Sequence, residues 1–226
     1  AIVRAAEDGR CTTADEQRAI ADVGGAKAFT YGEITPLGFR ALASRLGMGA
    51  SDTFADLGSG LGRACIQAVR EFRVAKSVGV ELAPSRHRLA LAERAREADA
   101  IASRVELVEA DCAEDLLWTG ALAGTTLMFA GSLLFGDELM ARLARRIEGC
   151  ASVRAVATLK QFVAAADSGG GAFACALSGF TMLVPSEEYE TSWTAPLRAG
   201  AGSGVRNPGA PVFIYVRDGH TLEPLS

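Results

Sequence analysis

Histidine and paired cysteine are scarce in this chain. Its 226 residues include two histidines, His87 and His220, and five widely scattered cysteines that form no Cys-x-x-Cys pair. Neither histidine has a partner at the spacing of metal ligands, so we predict that the protein has no metal site. An odd number of scattered cysteines is typical of free thiols in a reducing compartment.

Long hydrophobic runs and a surplus of basic residues are lacking as well. No apolar run approaches the roughly 18 residues that cross a bilayer, and the first residues do not form a signal-peptide pattern. The formal net charge is −4, whereas domains that bind nucleic acid through its phosphates present a basic surface. We therefore expect no membrane association and no strong nucleic-acid binding by this domain itself.

Short apolar runs that alternate with helical segments predict the fold class. Hydrophobic residues make up 49% of the chain, which is long enough for one sizeable α/β domain. Five runs between residues 53 and 159 predict strands separated by helices, and residues 180–184 and 212–216 predict two more strands. Two helices are predicted before them, at residues 12–28 and from Thr35-Pro36 to about Leu46.

One stretch, residues 53–63, carries the strongest functional signal. A predicted strand ends in Asp56-Leu57, glycines follow at positions 58, 60 and 62, and a helix begins. Glycine lets the turn adopt positive φ and lets backbone amides approach a ligand closely. We expect the ligand beyond the carboxyl end of the strand, where open α/β sheets bind their ligands.

The residues around the glycines indicate which ligand binds. The dinucleotide fingerprint places its third glycine where Arg63 stands. The acid Asp56 would repel a phosphate, but it suits a ligand that carries an ammonium group. The pattern Asp-Leu-Gly-Ser-Gly-x-Gly resembles motif I of S-adenosylmethionine-dependent methyltransferases. A nicotinamide dinucleotide and a glycine turn without a ligand are the alternatives.

Acids also end the next two predicted strands. Glu81 lies about 20 residues past the glycine loop, where an acid can accept hydrogen bonds from both ribose hydroxyls. Asp111 follows the third strand and could accept a hydrogen bond from an adenine amino group. The tip of the fourth strand, Gly131-Ser132, is where the methyl acceptor normally meets the cofactor in methyltransferases. The arginine-rich helix after Glu81 predicts a solvated basic face that includes Arg86.

Six short motifs occur in the order of a known family. They are Tyr31-Gly32-Glu33, Asp56–Gly62, Gly79-Val80-Glu81, Phe135-Gly136, Ser192-Trp193-Thr194 and Pro211–Tyr215. Together they resemble the catalytic domain of the disruptor-of-telomeric-silencing family, the histone lysine methyltransferases that lack a SET domain. The resemblance runs from about Phe29 to Arg217. It implies a seven-stranded, Rossmann-like class I S-adenosylmethionine-dependent methyltransferase fold with N-terminal helices.

The resemblance also implies a reaction and a cellular place. S-adenosylmethionine would be the methyl donor, and a lysine of a core histone in the nucleosome would be the acceptor. The nucleus is the implied location, with the cytoplasm as the alternative. We divide the chain into an N-terminal helical segment with a loop that covers the cofactor, residues 1–52, and a methyltransferase core, residues 53–226.

Matching motifs assign roles to individual residues. The residues implied to bind the cofactor are Tyr31, Glu33, Thr35, Asp56, Gly58, Gly60, Glu81, Asp111 and Cys112. The residues implied to be catalytic are Trp193, Tyr215 and Ser132. Trp193 and Tyr215 would wall the channel through which the lysine enters, and aromatic walls attract an alkylammonium group through cation–π contact.

Several positions depart from the family pattern. Gly131-Ser132 stands where the family has adjacent asparagines, one of which lies near the reacting methyl group. Arg63 replaces a glutamine, Cys112 replaces an aromatic residue that covers the adenine, and an insertion follows Thr194. Two alternatives therefore stay open. The same fold could methylate a non-histone protein or a small molecule, or it could be a catalytically inactive module that binds the cofactor.

Overall fold

The strands and helices alternate as the sequence predicts. The structure is a computed structural model that describes residues 9–10, 12–162, 177–183, 186–194 and 209–222. Its helices are α1 (Ala14–Gly24), α2 (Pro36–Arg45), α3 (Arg63–Phe72), α4 (Pro84–Arg94), α5 (Asp99–Ala102), α6 (Asp115–Thr119) and α7 (Asp137–Gly149). Its strands are β1 (Thr53–Leu57), β2 (Lys76–Glu81), β3 (Val105–Glu109), β4 (Leu127–Ala130), β5 (Ala155–Thr158), β6 (Phe180–Met182), β7 (Glu187–Tyr189) and β8 (Ala210–Arg217).

The strands form one sheet in the order β3-β2-β1-β4-β5-β8-β6. Strands β1 to β5 are parallel, and β8 runs antiparallel to both β5 and β6. This arrangement confirms the predicted fold class. The short strand β7 adds to the seven predicted strands by pairing with the first residues of β8. Its Glu-Glu-Tyr sequence has no hydrophobic alternation that could have predicted it.

Both faces of the sheet are buried, as expected of parallel strands covered by helices. Alternate residues of β1 enter different cores. Phe54 packs with α2 and α3, while Ala55 and Leu57 pack with α7 on the other face. Within the described residues, no helix has the length and apolar character of a membrane span.

Polar side chains fix the beginnings of the first two helices. The Thr13 hydroxyl accepts from the Glu16 amide, and the Glu16 carboxylate accepts from the Thr13 amide, which forms a capping box. Thr35 caps α2, with Pro36 as its first residue, which confirms the predicted start. Helix α1 ends at Gly24 rather than at residue 28, because Gly25 adopts a φ of 99° that does not continue a helix.

A buried ion pair joins the amino ends of β1 and β5. Arg154 donates to both carboxylate oxygens of Asp52, at 3.1 and 3.0 Å, and to the carbonyls of Leu46 and Gly47. Asp52 also accepts from the Thr126 hydroxyl at 2.7 Å. The guanidinium thus satisfies a buried acid and the last turn of α2 at the edge of the sheet opposite the glycine loop.

Loss of this guanidinium should destabilise the fold strongly. Arg154→Met removes the cation that pairs with the buried Asp52 carboxylate and the donor of two carbonyls, so we expect the free energy of unfolding to fall by about 2–4 kcal/mol. Urea denaturation followed by circular dichroism measures the change. Arg40→Met is the matched control, because Arg40 pairs with Glu71 at the surface and should cost less than about 1 kcal/mol. Equal losses in the two variants would contradict the prediction.

Candidate active site

The loop between β1 and α3 contains three glycines in left-handed conformations. Gly58, Gly60 and Gly62 have φ values of 82°, 54° and 69°. The amides of Gly58 and Ser59 both donate to the Val80 carbonyl at 2.9 Å, which holds the loop against β2. At Gly60 a side chain would also collide, because a Cβ atom there would lie 2.8 Å from the Tyr31 ring. Glycine is therefore required at Gly60 by both backbone and space.

A cleft opens above this loop, at the carboxyl ends of β1, β2, β3 and β4. Eight of the nine residues implied to bind the cofactor line it: Tyr31, Glu33, Asp56, Gly58, Gly60, Glu81, Asp111 and Cys112. The N-terminal segment closes the other side with Ile20, Val23 and Ala28. The cleft therefore combines a polar floor from the sheet with a cover from residues before β1 that carries both apolar and polar side chains.

Asp56 is the most deeply buried acid of the cleft. Its side chain is 5% exposed. Burial, followed by the charges of Glu81 and Glu33, raises the pKa of Asp56 from 3.8 to about 8. A buried carboxyl is stabilised in its charged form by hydrogen-bond donors or by a nearby cation, so a cationic ligand bound next to Asp56 would favour its charged form. The site therefore fits a ligand with a positive charge near the floor of the cleft.

Glu81 holds the glycine loop in place. Its two carboxylate oxygens accept from the amides of Gly60, at 2.8 Å, and Ala83, at 2.9 Å. The side chain is 6% exposed and stands at the end of β2, where the sequence places a ribose-binding acid. A carboxylate with spare lone pairs can accept further hydrogen bonds from ligand hydroxyls.

Tyr31, Glu33 and Arg63 form a connected group at the mouth of the cleft. The Tyr31 hydroxyl donates to one oxygen of Glu33 at 2.7 Å, and Arg63 donates to the other at 2.8 Å. Burial and the nearby Glu33 charge raise the pKa of Tyr31 above its ordinary value, so the phenol stays a neutral donor. Arg63 and Glu33 together could bind the carboxylate and the ammonium of an amino acid.

The far end of the cleft is formed by Asp111 and Cys112. Asp111 accepts from the Ala113 amide at 2.9 Å and from Arg142 at 2.8 Å. Burial raises the pKa of the Cys112 thiol to about 12, so this side chain is a neutral, apolar wall. The Cys112 carbonyl accepts from the indole of Trp118 at 3.0 Å, which fixes the turn after β3.

Thr35 and Trp193 are linked to the cleft through neighbouring residues. Thr35 caps α2, and its hydroxyl donates to the Glu190 carboxylate at 2.7 Å. Trp193 is 45% exposed, and its ring lies against Gly32, where a Cβ atom would come within 2.5 Å of it. The tryptophan belongs to the turn at residues 191–194 and packs at the rim of the cleft against the loop that carries Tyr31 and Glu33.

Ser132 and Tyr215 are both buried away from solvent. The Ser132 hydroxyl accepts from the Lys160 amide at 3.1 Å, while the neighbouring Gly131 lines the cleft. The Tyr215 hydroxyl accepts from the Phe162 amide at 2.9 Å, and the two rings pack edge to face. Tyr215 pairs with Val156 in the middle of β5, one hydrophobic layer below the end of the strand. The structure therefore places these side chains in the core, and their catalytic roles stay predictions.

Phe213 is an aromatic residue for which the sequence motifs predicted no role. It lies on the same face of β8 as Tyr215, two residues along, and pairs with Thr158 at the carboxyl end of β5. It is only partly buried, so it stands closer than Tyr215 to the edge of the sheet that carries the cleft. Because side chains two residues apart on a strand share a face, the sequence alone could have pointed to Phe213 as well as to Tyr215.

The prediction that Arg86 belongs to a solvated face of α4 is wrong. The side chain is 5% exposed, lines the cleft and stacks on the Tyr31 ring at 5.1 Å from its centroid. Another unassigned residue is Phe135, whose ring tip would lie 3.1 Å from a Cβ atom on Gly58. Both contacts join segments far apart in sequence, so local patterns carried no sign of them.

The five-strand parallel order, the antiparallel β8, the glycine loop and the acids at successive strand ends define a class I S-adenosylmethionine-dependent methyltransferase. The described residues contain no cluster of side chains that could hold a metal ion. The buried Asp56 and the pair of Glu33 and Arg63 fit the charged amino-acid end of this cofactor. Within the class, the chain belongs to the family described as "Histone methylation protein DOT1", whose sequence profile matches residues 14–195. S-adenosylmethionine is accordingly its cofactor.

Solved structures share the fold at low sequence identity. The methyltransferase domain of bacterial CtHen1-CN superposes with a TM-score of 0.54 at 11% identity, over 79% of this chain and 96% of that one. The glycopeptide N-methyltransferase MtfA, solved with sinefungin, gives 0.52 at 13% identity, over 81% and 87%. No curated protein sequence matches the chain significantly. The structural likenesses establish the fold, and the family match covers most of the chain.

Proposed function

We propose that the chain transfers a methyl group from S-adenosylmethionine to a lysine side chain of a protein, with a core histone of the nucleosome as the leading substrate. The family match supports a histone-directed reaction. The observation that supports a lysine as the acceptor is the position of Trp193, a half-exposed indole at the rim of the cleft. A histone substrate also implies that the protein acts in the nucleus.

Trp193 is held in place by the loop that lines the cleft. The Glu33 amide donates to the Ser192 hydroxyl at 3.1 Å, and the Ser192 amide donates to the Glu33 carbonyl at 2.8 Å. Ile34 and Thr191 add an antiparallel bridge. An aromatic face fixed in this way can receive an alkylammonium group by cation–π contact and cover the methylenes of a lysine.

The chain's own residues would bind the cofactor and exclude water. Asp56 and Glu33 would hold its ammonium, Glu81 its ribose hydroxyls and Asp111 its adenine. S-adenosylmethionine supplies a sulfonium methyl group that a neutral amine accepts by in-line displacement, a reaction in which positioning contributes most. Aromatic and aliphatic walls disfavour the charged form of an entering amine and so favour its deprotonation. We therefore assign no general base.

Replacing Trp193 should separate acceptor binding from cofactor binding. We expect Trp193→Ala to lower kcat/KM for a nucleosome substrate by about 10-fold to 100-fold, because the rim loses its aromatic contact surface. Affinity for S-adenosylhomocysteine, measured by calorimetry, should change less than about threefold, and Trp193→Phe should restore part of the activity. Leu116→Ala, which truncates another exposed apolar side chain, serves as the control. A parallel loss of cofactor affinity would contradict this role.

Methyl transfer to a panel of acceptors tests the proposal itself. Radiolabelled S-adenosylmethionine is incubated with recombinant nucleosomes, free histones, histones whose lysines have been acetylated, an unrelated basic protein and a mixture of small amines. The proposal expects label on a histone that is lost on lysine acetylation, with the lysine located by mass spectrometry. Label confined to another protein or to a small amine would replace the histone by that acceptor.

A second candidate is a module that binds the cofactor without transferring the methyl group. The observation that favours it is the tip of β4. Gly131 lines the cleft, and among the described residues other than its chain neighbours no atom lies within 4 Å of the place of a Cβ atom. The Ser132 hydroxyl accepts from the Lys160 amide. Cofactor binding measured by calorimetry, together with no label on any acceptor of the panel, would support this second candidate and overturn the first.

A further inference from the structure

Arg86 makes contacts that its position in sequence does not explain. It lies in the first turn of α4, directly after the strand that ends in Glu81. Its Nε donates to the Gly9 carbonyl at 2.9 Å, a second nitrogen donates to the Phe29 carbonyl, and the guanidinium stacks on the Tyr31 ring. It also lies 3.9 Å from the Glu81 carboxylate. One buried cation therefore joins the N-terminal segment to the ribose-binding end of β2.

The segment that Arg86 holds forms the cover of the cleft. We call residues 12–34 the strap, because they cross the cleft from α1 to the Tyr31-Gly32-Glu33 loop. The strap contributes apolar and polar side chains to the lining of the cleft, namely Ile20, Val23, Ala28, Thr30, Tyr31, Glu33 and Ile34. Any ligand of the cleft must therefore lie between the sheet and the strap, so its affinity depends on where the strap stands.

Two other contacts attach the strap near its beginning and its middle. The Glu16 carboxylate accepts from the Ser85 amide at 2.7 Å, at the start of α4. The Gly136 amide donates to the Gly24 carbonyl at 2.6 Å, where α1 meets the loop before α7. Neither contact reaches the part of the strap between Gly25 and Tyr31. That part is held from the core by the guanidinium of Arg86.

The chemistry of this contact suits a holding function. Backbone carbonyls of a connecting segment need donors when they are buried, and an arginine offers five in a planar fork. Hydrogen bonds from a charged donor are stronger than neutral ones. The nearby Glu81 carboxylate offsets the cost of burying the guanidinium.

We propose that Arg86 is a positioning residue that fastens the strap over the bound cofactor and thereby slows cofactor release. It acts through Phe29 and Tyr31 rather than on the reacting atoms. The proposal relies on S-adenosylmethionine binding in the cleft, and it is independent of the acceptor. Failure of lysine methylation would therefore leave it standing.

Hydrogen exchange and cofactor binding together test this role. In the cofactor-free protein, Arg86→Met should speed amide exchange across residues 25–31 by about tenfold or more, because the guanidinium bonds no longer hold the segment. The same variant should bind S-adenosylhomocysteine about 10-fold to 100-fold more weakly, with the loss mostly in a faster dissociation rate. Arg86→Lys keeps the charge without the fork and should lie between the two proteins in both measurements.

The control is Arg94→Met, on the last turn of the same helix, where Arg94 donates to the Val105 carbonyl at 3.1 Å. It should leave strap exchange and cofactor binding unchanged. Unchanged strap exchange in Arg86→Met would overturn the proposal even if affinity fell, because Arg86 would then act only as a direct ligand. If Arg86→Met does not fold by circular dichroism, Arg86→Lys decides by the same two measurements.

Discussion

Gly60→Val is expected to lower the affinity for S-adenosylhomocysteine by more than about 100-fold. The left-handed backbone at Gly60 disfavours any side chain by about 1–2 kcal/mol, and a valine there would also push into the Tyr31 ring that covers the loop. Tyr31 cannot move away freely, because Glu33 accepts a hydrogen bond from its hydroxyl and Arg86 stacks on its ring. The variant therefore alters the floor and the cover of the cleft together. Isothermal titration calorimetry measures the loss.

Gly124→Val separates the effect of backbone strain from the effect of the steric clash with the Tyr31 ring. Gly124 has a φ of 76°, and in the part of the chain that the structure describes no atom beyond its sequence neighbours lies within 4 Å of the place of its Cβ atom. The backbone strain should lower the stability of both variants by a similar amount, while cofactor affinity should fall only in Gly60→Val. If Gly124→Val lost binding to the same extent, general destabilisation would explain the result and the steric argument would be wrong.

Asp56→Asn should weaken cofactor binding about 100-fold at pH 8 and also remove its pH dependence. In the wild type, the raised pKa of about 8 means that Asp56 holds its proton at neutral pH in the free protein. Binding a cationic ligand favours the charged carboxylate, so one proton is released. Affinity should then rise by about tenfold per pH unit between pH 6 and 8. Calorimetry in buffers of different ionisation enthalpy measures the released proton directly.

The same substitution has a consequence for stability. The folded pKa of Asp56 lies above the unfolded value of 3.8, so the folded chain keeps a proton that the unfolded chain has lost. The contribution of this group to stability is therefore fully present below about pH 4 and is lost as the pH rises to about 8. Asp56→Asn should flatten this part of the pH–stability curve in the absence of cofactor.

Other titratable and charged groups lie near Asp56 and also influence the pH dependence of cofactor binding. Glu33 and Glu81 raise its pKa, while Arg63 and Arg86 face the same cleft, and the Cys65 thiol lies beneath it. Asp99→Asn, at the exposed start of α5, is the control for loss of one surface acid. A wild-type affinity that stays constant between pH 6 and 8 would contradict the proton release.

Local patterns predicted the part of the fold that local physics decides. The glycine loop at 58–62, the proline start of α2 and the strand that ends in Glu81 follow from residue types and spacing, and the structure has them within a residue or two. These features depend on backbone conformation and hydrophobic periodicity, which a short window of sequence contains. The family resemblance then predicted that the acids at the strand ends bind one cofactor, and the structure has them in one cleft.

Contacts between segments that are distant in sequence could not be predicted from local patterns. The burial of Arg86 depends on the Phe29 carbonyl, and the engagement of the Ser132 hydroxyl depends on Lys160. The pairing of β7 depends on the extra length of β8. The predicted insertion runs from residue 195 to residue 210, and its part from 195 to 208 lies outside the described residues.

The two tryptophans are placed so that their intrinsic fluorescence can report on ligand binding at both ends of the cleft. Trp118 is tied to Cys112 at the far end of the cleft, and Trp193 lies on Gly32 at the mouth. Entry of an adenine ring should alter the emission of the first indole, whereas arrival of an acceptor should quench the second. With Trp193→Phe to silence one signal, stopped-flow fluorescence can time the two arrivals separately and give the kinetic order of binding without a label.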